Sequence, residues 1–154
     1  MKKAIIVDID GTLANCEDRV HFLKKTPKDW KSFHARVKFD TVNEWCKRIV
    51  EYFYDKREDD YGRKKCDIIF VSGRVFESYY ETKQWLRKNN IEYDHIFMRE
   101  KNDYRDDDIF KKEVYDKHIK GKYEILFAID DRSRIVKMWR EQGITCLQCA
   151  VGDF

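Results

Sequence analysis

Short apolar runs alternate with amphipathic stretches along this chain, which predicts an α/β protein with a Rossmann-like parallel sheet flanked by helices on both faces. Three of the apolar runs end abruptly in polar residues able to carry chemistry, where open α/β sheets place ligands. The first run is also followed by more chain than a tight βα loop needs, which predicts a small lid insertion after strand 1, over residues 14–40. Strands are expected at 4–7, 67–71, 95–98, 125–129 and 145–148, and helices at 27–37, 42–54, 77–89, 108–118 and 133–142. Thr26 before Pro27, and Ser133 before an apolar-periodic run, are N-cap signals. Gly143 after Gln142 is a C′ signal. The charged stretch 55–65, with Gly62, reads as an exposed loop.

At 154 residues the simplest reading is one domain, 1–154, able to bury about 68–70% of its unfolded surface. Charged residues make up 40% and hydrophobic ones 42%, so the surface is densely charged. A net charge of +3 accommodates a phosphorylated substrate without demanding one. No apolar stretch approaches the roughly 20 residues that cross a bilayer, so no membrane is expected as a partner. The first strand starts too early to leave room for a signal peptide. Five cysteines, an odd number, fit a reduced, cytoplasmic protein. Cys146 and Cys149 form a Cys-x-x-Cys pair, but a closed zinc site needs four ligands and no second pair has finger-like spacing. They read as thiols of a strand. The sequence leaves a homodimer open.

The run Ala4-Ile5-Ile6-Val7 has the length and β-branching of a buried strand and ends in Asp8; Gly11 lets the chain turn without a Cβ clash. Asp8 and Asp10, two residues apart, can divide the work of nucleophile and proton donor if their environments push their pKa values apart. A solvated Asp-x-Asp-Gly turn is the alternative. Ile68-Ile69-Phe70-Val71 ends likewise in Ser72-Gly73-Arg74. Here Ser72 can hydrogen-bond a phosphoryl oxygen, Gly73 lets backbone amides approach it, and Arg74 can clamp it bidentately. The alternative is a strand-end turn with a surface arginine. The third run, Ile125 to Ile129, ends in Asp130-Asp131, whose like charges need a cation or proton between them. With Asp8 they form an oxygen cage suited to Mg²⁺, and Asp10 counts among the candidate ligands. Asp131 is favoured as the direct ligand and Asp130 as its support. Asp106-Asp107-Asp108 looks like a capped helix start, followed by Lys111.

The string Asp8-Ile9-Asp10-Gly11-Thr12-Leu13 after an apolar run resembles the nucleophile loop of the haloacid dehalogenase (HAD) superfamily of phosphotransferases. The last third narrows the resemblance. Phe127-Ala128-Ile129-Asp130-Asp131-Arg132, Val136-Lys137-Met138-Trp139-Arg140, Gly143 and Gly152-Asp153-Phe154 resemble the 3′-phosphatase domain of bacteriophage-type polynucleotide kinase/phosphatases. Tyr79-Tyr80 with Trp85, and the run 107–119, extend it; the likeness is weakest over 20–38 and 55–65.

That resemblance implies hydrolysis of a terminal 3′-phosphate monoester of DNA or RNA, with Mg²⁺ as cofactor and nucleic-acid ends as substrate. Asp8 is the implied nucleophile, forming an aspartyl-phosphate. Asp10 is the implied general acid and then base, a role that needs a raised pKa. Lys111 is implied to neutralise the nucleophile and the transferring phosphate. Thr12, Ser72, Gly73, Arg74 and Asp107 are the implied phosphate or substrate contacts, and Arg19 and Arg74 the residues that steer the nucleic-acid end. The implied role is repair of broken ends in the cytoplasm of an infected bacterium. The bifunctional proteins of this family also carry a Gly-x-x-x-x-Gly-Lys-Ser/Thr kinase loop; this chain does not, so no 5′-kinase activity is expected of it. Residues 21–38 are rich in lysine, arginine and aromatics and fit the family poorly; they can stack bases and contact phosphates, or form an amphipathic lid helix with a solvated basic face. Two other functions stay open: a phosphatase for free mononucleotides or small metabolites, and a non-catalytic module that binds nucleic-acid ends. The second usually loses a carboxylate, and none is missing here.

Overall fold

The computed structural model describes residues 1–55, 60–63 and 66–152. Part of the expected 55–65 loop, and Asp153 and Phe154 of the terminal motif, lie outside the described residues. Five parallel strands form the main sheet: β1 (Lys2–Val7), β4 (Cys66–Val71), β5 (His95–Phe97), β6 (Tyr123–Arg132) and β7 (Cys146–Gly152). Their order is β5-β4-β1-β6-β7. The chain therefore winds outward from β1 to one edge, then crosses to β6 and winds outward to the other. Connections diverge between β1 and β6, the crevice where doubly wound sheets bind ligands.

The period-2 alternation of side chains divides β1 between two cores. Ile5 and Val7 pack with Ile68 and Phe70 of β4 against Cys46 and Val50 of α3 (Glu44–Asp55) and Trp85 and Leu86 of α4 (Tyr79–Lys88). On the other face Ala4 and Ile6 pack with Ile69, Val71 and Ala128 against Phe110 and Val114 of α5 (Asp107–Val114) and Ile135, Val136 and Trp139 of α6 (Ser133–Glu141). Because both faces are covered, the central strands read as unbroken apolar runs.

Between β1 and α3 lies a small lid. Two short antiparallel strands, β2 (Ala14–Asn15) and β3 (Thr41–Val42), close its base. Between them run α1 (Glu17–Val20), a 3₁₀ turn, α2 (Trp30–His34) and a second 3₁₀ turn over Val37–Phe39. Cys16, Leu23 and Phe33 give the lid its own core.

The lid corrects the expected helix at 27–37. Pro27 follows a cis peptide and lies outside the helix; Asp29 is the N-cap, accepting the Ser32 N–H at 3.0 Å. The helix stops after His34, and the Arg19 guanidinium takes the Phe33 carbonyl (2.9 Å) that a longer helix would give to the N–H of residue 37. The expected helix at 42–54 starts two residues late, because Thr41 and Val42 are used in β3 and the Asn43 carbonyl opens the helix. Ser133 stands one position inside α6, with Arg132 as its N-cap. Gly143, at φ +79°, follows the Gln142 cap as expected. Among the described residues no helix is long and apolar enough to cross a membrane.

Candidate active site

At the carboxyl end of β1 the chain turns tightly: the Gly11 N–H bonds the Ala14 carbonyl at 2.9 Å, and Thr12 and Ala14 both bond the Ile9 carbonyl. Gly11 holds φ +79°, and a Cβ there would run into the Asp131 carboxylate. The turn thus needs glycine twice, for its backbone and for the close approach of the neighbouring strand end. Asp8 comes out of the strand buried, its N–H still bonded to the Ile129 carbonyl of β6 (3.0 Å). Thr12 Oγ1 lies 3.2 Å from Asp8 Oδ2 and 3.4 Å from Asp131 Oδ1, so its one proton serves either carboxylate.

Lys111 reaches into this site from α5. Its ammonium is buried, 2.8 Å from Asp8 Oδ1 and 2.9 Å from Asp130 Oδ2, with Asp107 at 3.9 Å. Burial alone would lower the lysine pKa; Asp130 and Asp8 outweigh it and hold the group charged. Asp8, Asp130 and Asp131 bring carboxylate oxygens within 4.8 Å of one another. Three buried carboxylates then share one ammonium. Burial, together with the repulsion of Asp130, raises the Asp8 carboxyl despite Lys111, and lifts Asp131 to about 7. The cluster is short of positive charge, and its donors are all hard oxygens, the ligand type that Mg²⁺ takes.

Asp10 stands apart from that trio. Its carboxylate lies between two guanidiniums: Arg19 Nη2 at 2.6 Å, Arg74 Nη2 at 2.7 Å and Arg74 Nε at 3.1 Å. Burial would raise its pKa, but Arg74 and Arg19 prevail and hold it well below the usual carboxylate range. The expected raised pKa is therefore not what this site provides, and the Asp10 side chain does not join the three carboxylates. The two arginines that hold it make further bonds within the protein. Arg19 is buried, with its donors spent on Asp10, on the Phe33 carbonyl and on both oxygens of Asp40 (2.8 and 2.5 Å). Arg74 is buried as well, and bonds Asp10 and the Thr82 hydroxyl, with Asp40 at 3.4 Å. Both lock the lid onto the loop after β1, and neither is among the described residues that line the cleft above the site.

Ser72 is buried at the end of β4, its hydroxyl accepting the Arg74 N–H at 3.2 Å. Gly73 faces the Asp107 carboxylate so closely that a Cβ would overlap it. Asp107 opens α5 and is itself held by Arg99 (3.5 Å) and Arg132 (3.4 Å), which makes it a bracket between strand ends and helix. The structure thus gathers Asp8, Thr12, Lys111, Asp130 and Asp131 into one cluster and keeps Asp10, Arg19 and Arg74 in an adjoining one. Beside these stand Ser72, bonded to the Arg74 N–H, and Asp107, 3.9 Å from the Lys111 ammonium, with Gly73 against Asp107. Above them opens a cleft of about 960 Å³, with Asp8, Asp10, Gly73 and Asp107 among the residues that line it.

Sequence reasoning missed Asp40, His34, Arg99 and Arg132. Asp40 lies 21 positions from Arg19 and 34 from Arg74, in no motif, and only folding the lid reveals it. The basic residues of 95–106 and the aromatics of 27–34 offered compositional hints without saying which ones face the cleft.

A family model described as the polynucleotide kinase PNKP phosphatase domain matches residues 2–154. The putative bifunctional polynucleotide kinase/RNA ligase of Autographa californica nuclear polyhedrosis virus is 27% identical over 143 residues, which are 92% of this chain and 18% of the viral protein. Among solved structures, the Pnkp1/Rnl/Hen1 RNA repair complex contains a chain that superposes on all of this one with a TM-score of 0.83 and 32% identity; 44% of that chain is covered. A phospho-aspartyl intermediate analogue of phosphoserine phosphatase, 16% identical with a TM-score of 0.59 over 97% of this chain and 87% of its own, shares the fold. The chain spans less than half the length of the kinase and repair-complex relatives it matches. With the matched residues running nearly end to end, the chain belongs to the polynucleotide kinase PNKP phosphatase domain family, the HAD-type phosphoric monoester hydrolases.

Proposed function

We propose that this domain is a Mg²⁺-dependent polynucleotide 3′-phosphatase that converts terminal 3′-phosphates to 3′-hydroxyls during nucleic-acid repair in the cytoplasm, as one domain with a lid over residues 14–40. One observation carries the reading: Asp8 at the floor of an open cleft, held by Lys111 and grouped with Asp130 and Asp131. The RNA repair complex among the similar structures favours a polynucleotide end over a metabolite as substrate.

Asp8 attacks phosphorus in line and carries the phosphoryl group as an aspartyl-phosphate. Lys111, charged and 2.8 Å from Asp8, favours the ionised form of the attacking carboxylate against the burial and Asp130 repulsion that raise its pKa, and offsets charge on the transferring group. Mg²⁺, held by Asp8, Asp130 and Asp131, would supply further charge neutralisation to the phosphoryl oxygens. Asp130 commits one oxygen to Lys111 and the other to the Arg132 N–H, which favours Asp131 as the freer donor. Gly73 lines the cleft with Asp8, and Ser72, buried at the same strand end, is assigned to a phosphoryl oxygen. Asp10, ionised between its arginines, is ready to take a proton from the water that breaks the intermediate. To protonate the leaving 3′-oxygen in the first step it must gain a proton, and the negative phosphate arriving beside Arg74 and Arg19 pushes its pKa in that direction.

The test compares a 3′-phosphorylated oligonucleotide with a 3′-mononucleotide across salt concentrations. The proposal expects the oligonucleotide to be preferred and its kcat/KM to fall with salt. Equal rates with no salt dependence would move the substrate to a small phosphorylated metabolite.

A further inference from the structure

The two walls of the cleft differ in how their cations are used. On the strand-end side every arginine that lines the cleft faces acidic partners, some of them shared. Arg105 pairs with Asp103 and Glu113, Arg134 with Asp106 and Asp108 (3.0 Å each), Arg99 with Asp103 and Asp107 (3.5 Å each), and Arg132 with Asp107. On the lid side Lys28 and Lys31 line the same cleft and take part in no ion pair among the described residues. Asp29, their nearest neighbour in sequence, is occupied by Lys25 and by the Ser32 N–H.

Between these two lysines sits Trp30, 39% exposed and lining the cleft. The Lys28 ammonium lies 5.8 Å from its ring centroid. The indole is backed by the His34 imidazole, stacked at 5.9 Å and 21°, and by Phe33, edge-on at 5.7 Å. Phe33 is buried, and Arg19, which also grips Asp10, bonds its carbonyl and lies 4.2 Å over its ring. The aromatic face is therefore held at a fixed position relative to the loop that bears Asp8. A phosphate monoester alone needs neither a flat apolar face nor unpaired cations beyond its own pocket. A base followed by a phosphodiester needs both, and their alternation on one wall is the pattern of single-strand binding surfaces.

Resting on the reading of this site as a polynucleotide 3′-phosphatase, we propose that Trp30 stacks on the base of the 3′-terminal nucleotide while Lys28 and Lys31 take the phosphodiester that precedes it. The lid then sets substrate choice, and the carboxylate cluster below does the chemistry.

The experiment measures kcat/KM for three substrates: a 3′-phosphorylated oligonucleotide, the same strand with an abasic 3′-terminal residue, and a small aryl phosphate. The wild type is expected to favour the intact end over the abasic one by about tenfold, as stacking on one aromatic ring provides. Trp30→Ala is expected to erase that difference, Trp30→Phe to keep part of it, and both to cleave aryl phosphate as the wild type does. Replacing Lys28 and Lys31 together by alanine is expected to flatten the log–log salt slope by about 0.7, one single-strand phosphate contact. A wild type indifferent to the missing base overturns the proposal, even if Trp30→Ala does not fold. So does Trp30→Ala that still discriminates, or a salt slope unchanged in the lysine variant. If aryl phosphate is cleaved and neither oligonucleotide is, the 3′-phosphatase reading itself falls and this inference falls with it.

Discussion

Arg19 shows how far a residue's place in the fold can depart from its place in a motif. The family resemblance implies that its guanidinium steers the nucleic-acid end, yet here its forked donors bond Asp40, Asp10 and the Phe33 carbonyl inside the protein. Arg19→Ala would leave the Asp40 carboxylate buried and half-paired, which costs about 3–5 kcal/mol. It would also release one of the two clamps on Asp10. We therefore expect Arg19→Ala to slow aryl phosphate and oligonucleotide by the same factor, and to lower Tm; a loss confined to the oligonucleotide would mean that Arg19 contacts substrate directly. Lysine should not restore it, because a single ammonium cannot bridge two carboxylates and a carbonyl.

His34 makes a second residue-scale prediction. Burial lowers its pKa to about 4, below the ordinary value near 6.5. Between those values the unfolded chain binds the proton that the folded one refuses, so stability is complete above pH 6.5 and is lost as pH falls toward 4. The loss amounts to as much as about 3 kcal/mol. In denaturant titrations at pH 7 and pH 4.5, His34→Phe, which preserves the stack on Trp30, should lose less stability on acidification than the wild type. An identical acid loss in both would place that proton elsewhere.

At the scale of elements, the junction of β4 with α5 depends on one missing methyl group. Gly73 passes so close to Asp107 that any Cβ displaces the carboxylate, and with it the Arg99 and Arg132 contacts and the first turn of the helix that delivers Lys111. Misplacement by about 1 Å near reacting groups can cost 10²-fold. Gly73→Ala should accordingly lower kcat by one to two orders of magnitude while the far-ultraviolet circular dichroism stays unchanged; near-normal turnover would show that Asp107 moves freely. The ends of β1, β4 and β6 were legible because buried strands leave long apolar runs, and polar residues that stop such a run stand out. The path of the lid was not. Its short helix ends where a distant arginine captures a carbonyl, and its β2–β3 pairing joins segments 26 residues apart, neither of which leaves a local periodicity. The expectation of a raised Asp10 pKa came from the chemistry assigned to it, whereas the charges that set its pKa come from Arg74 on β4's loop and Arg19 in the lid.

Across the whole molecule the three parts of the site come from distant stretches of chain: Asp8 from the first strand, Lys111 from α5, Asp130 and Asp131 from β6. Their convergence leaves a surplus of negative charge in the core, which a bound divalent cation would relieve. Mg²⁺ at a hundred times its Kd should add about 2.7 kcal/mol of stability, or roughly 5–10 °C in Tm for a chain of this size. EDTA should reverse the shift and Asp131→Asn should remove most of it; a Tm indifferent to Mg²⁺ would count against a metal among these carboxylates.

The central claim is that this cleft removes phosphate from the 3′ end of a polynucleotide with the help of Mg²⁺. It is tested most directly by inorganic phosphate release from a 3′-phosphorylated oligonucleotide and its 5′-phosphorylated twin, each with Mg²⁺ and with EDTA. Release from the 3′ end alone, abolished by EDTA, is the predicted result. Equal release from both ends, or release from neither while a small phosphate ester is still cleaved, would contradict it.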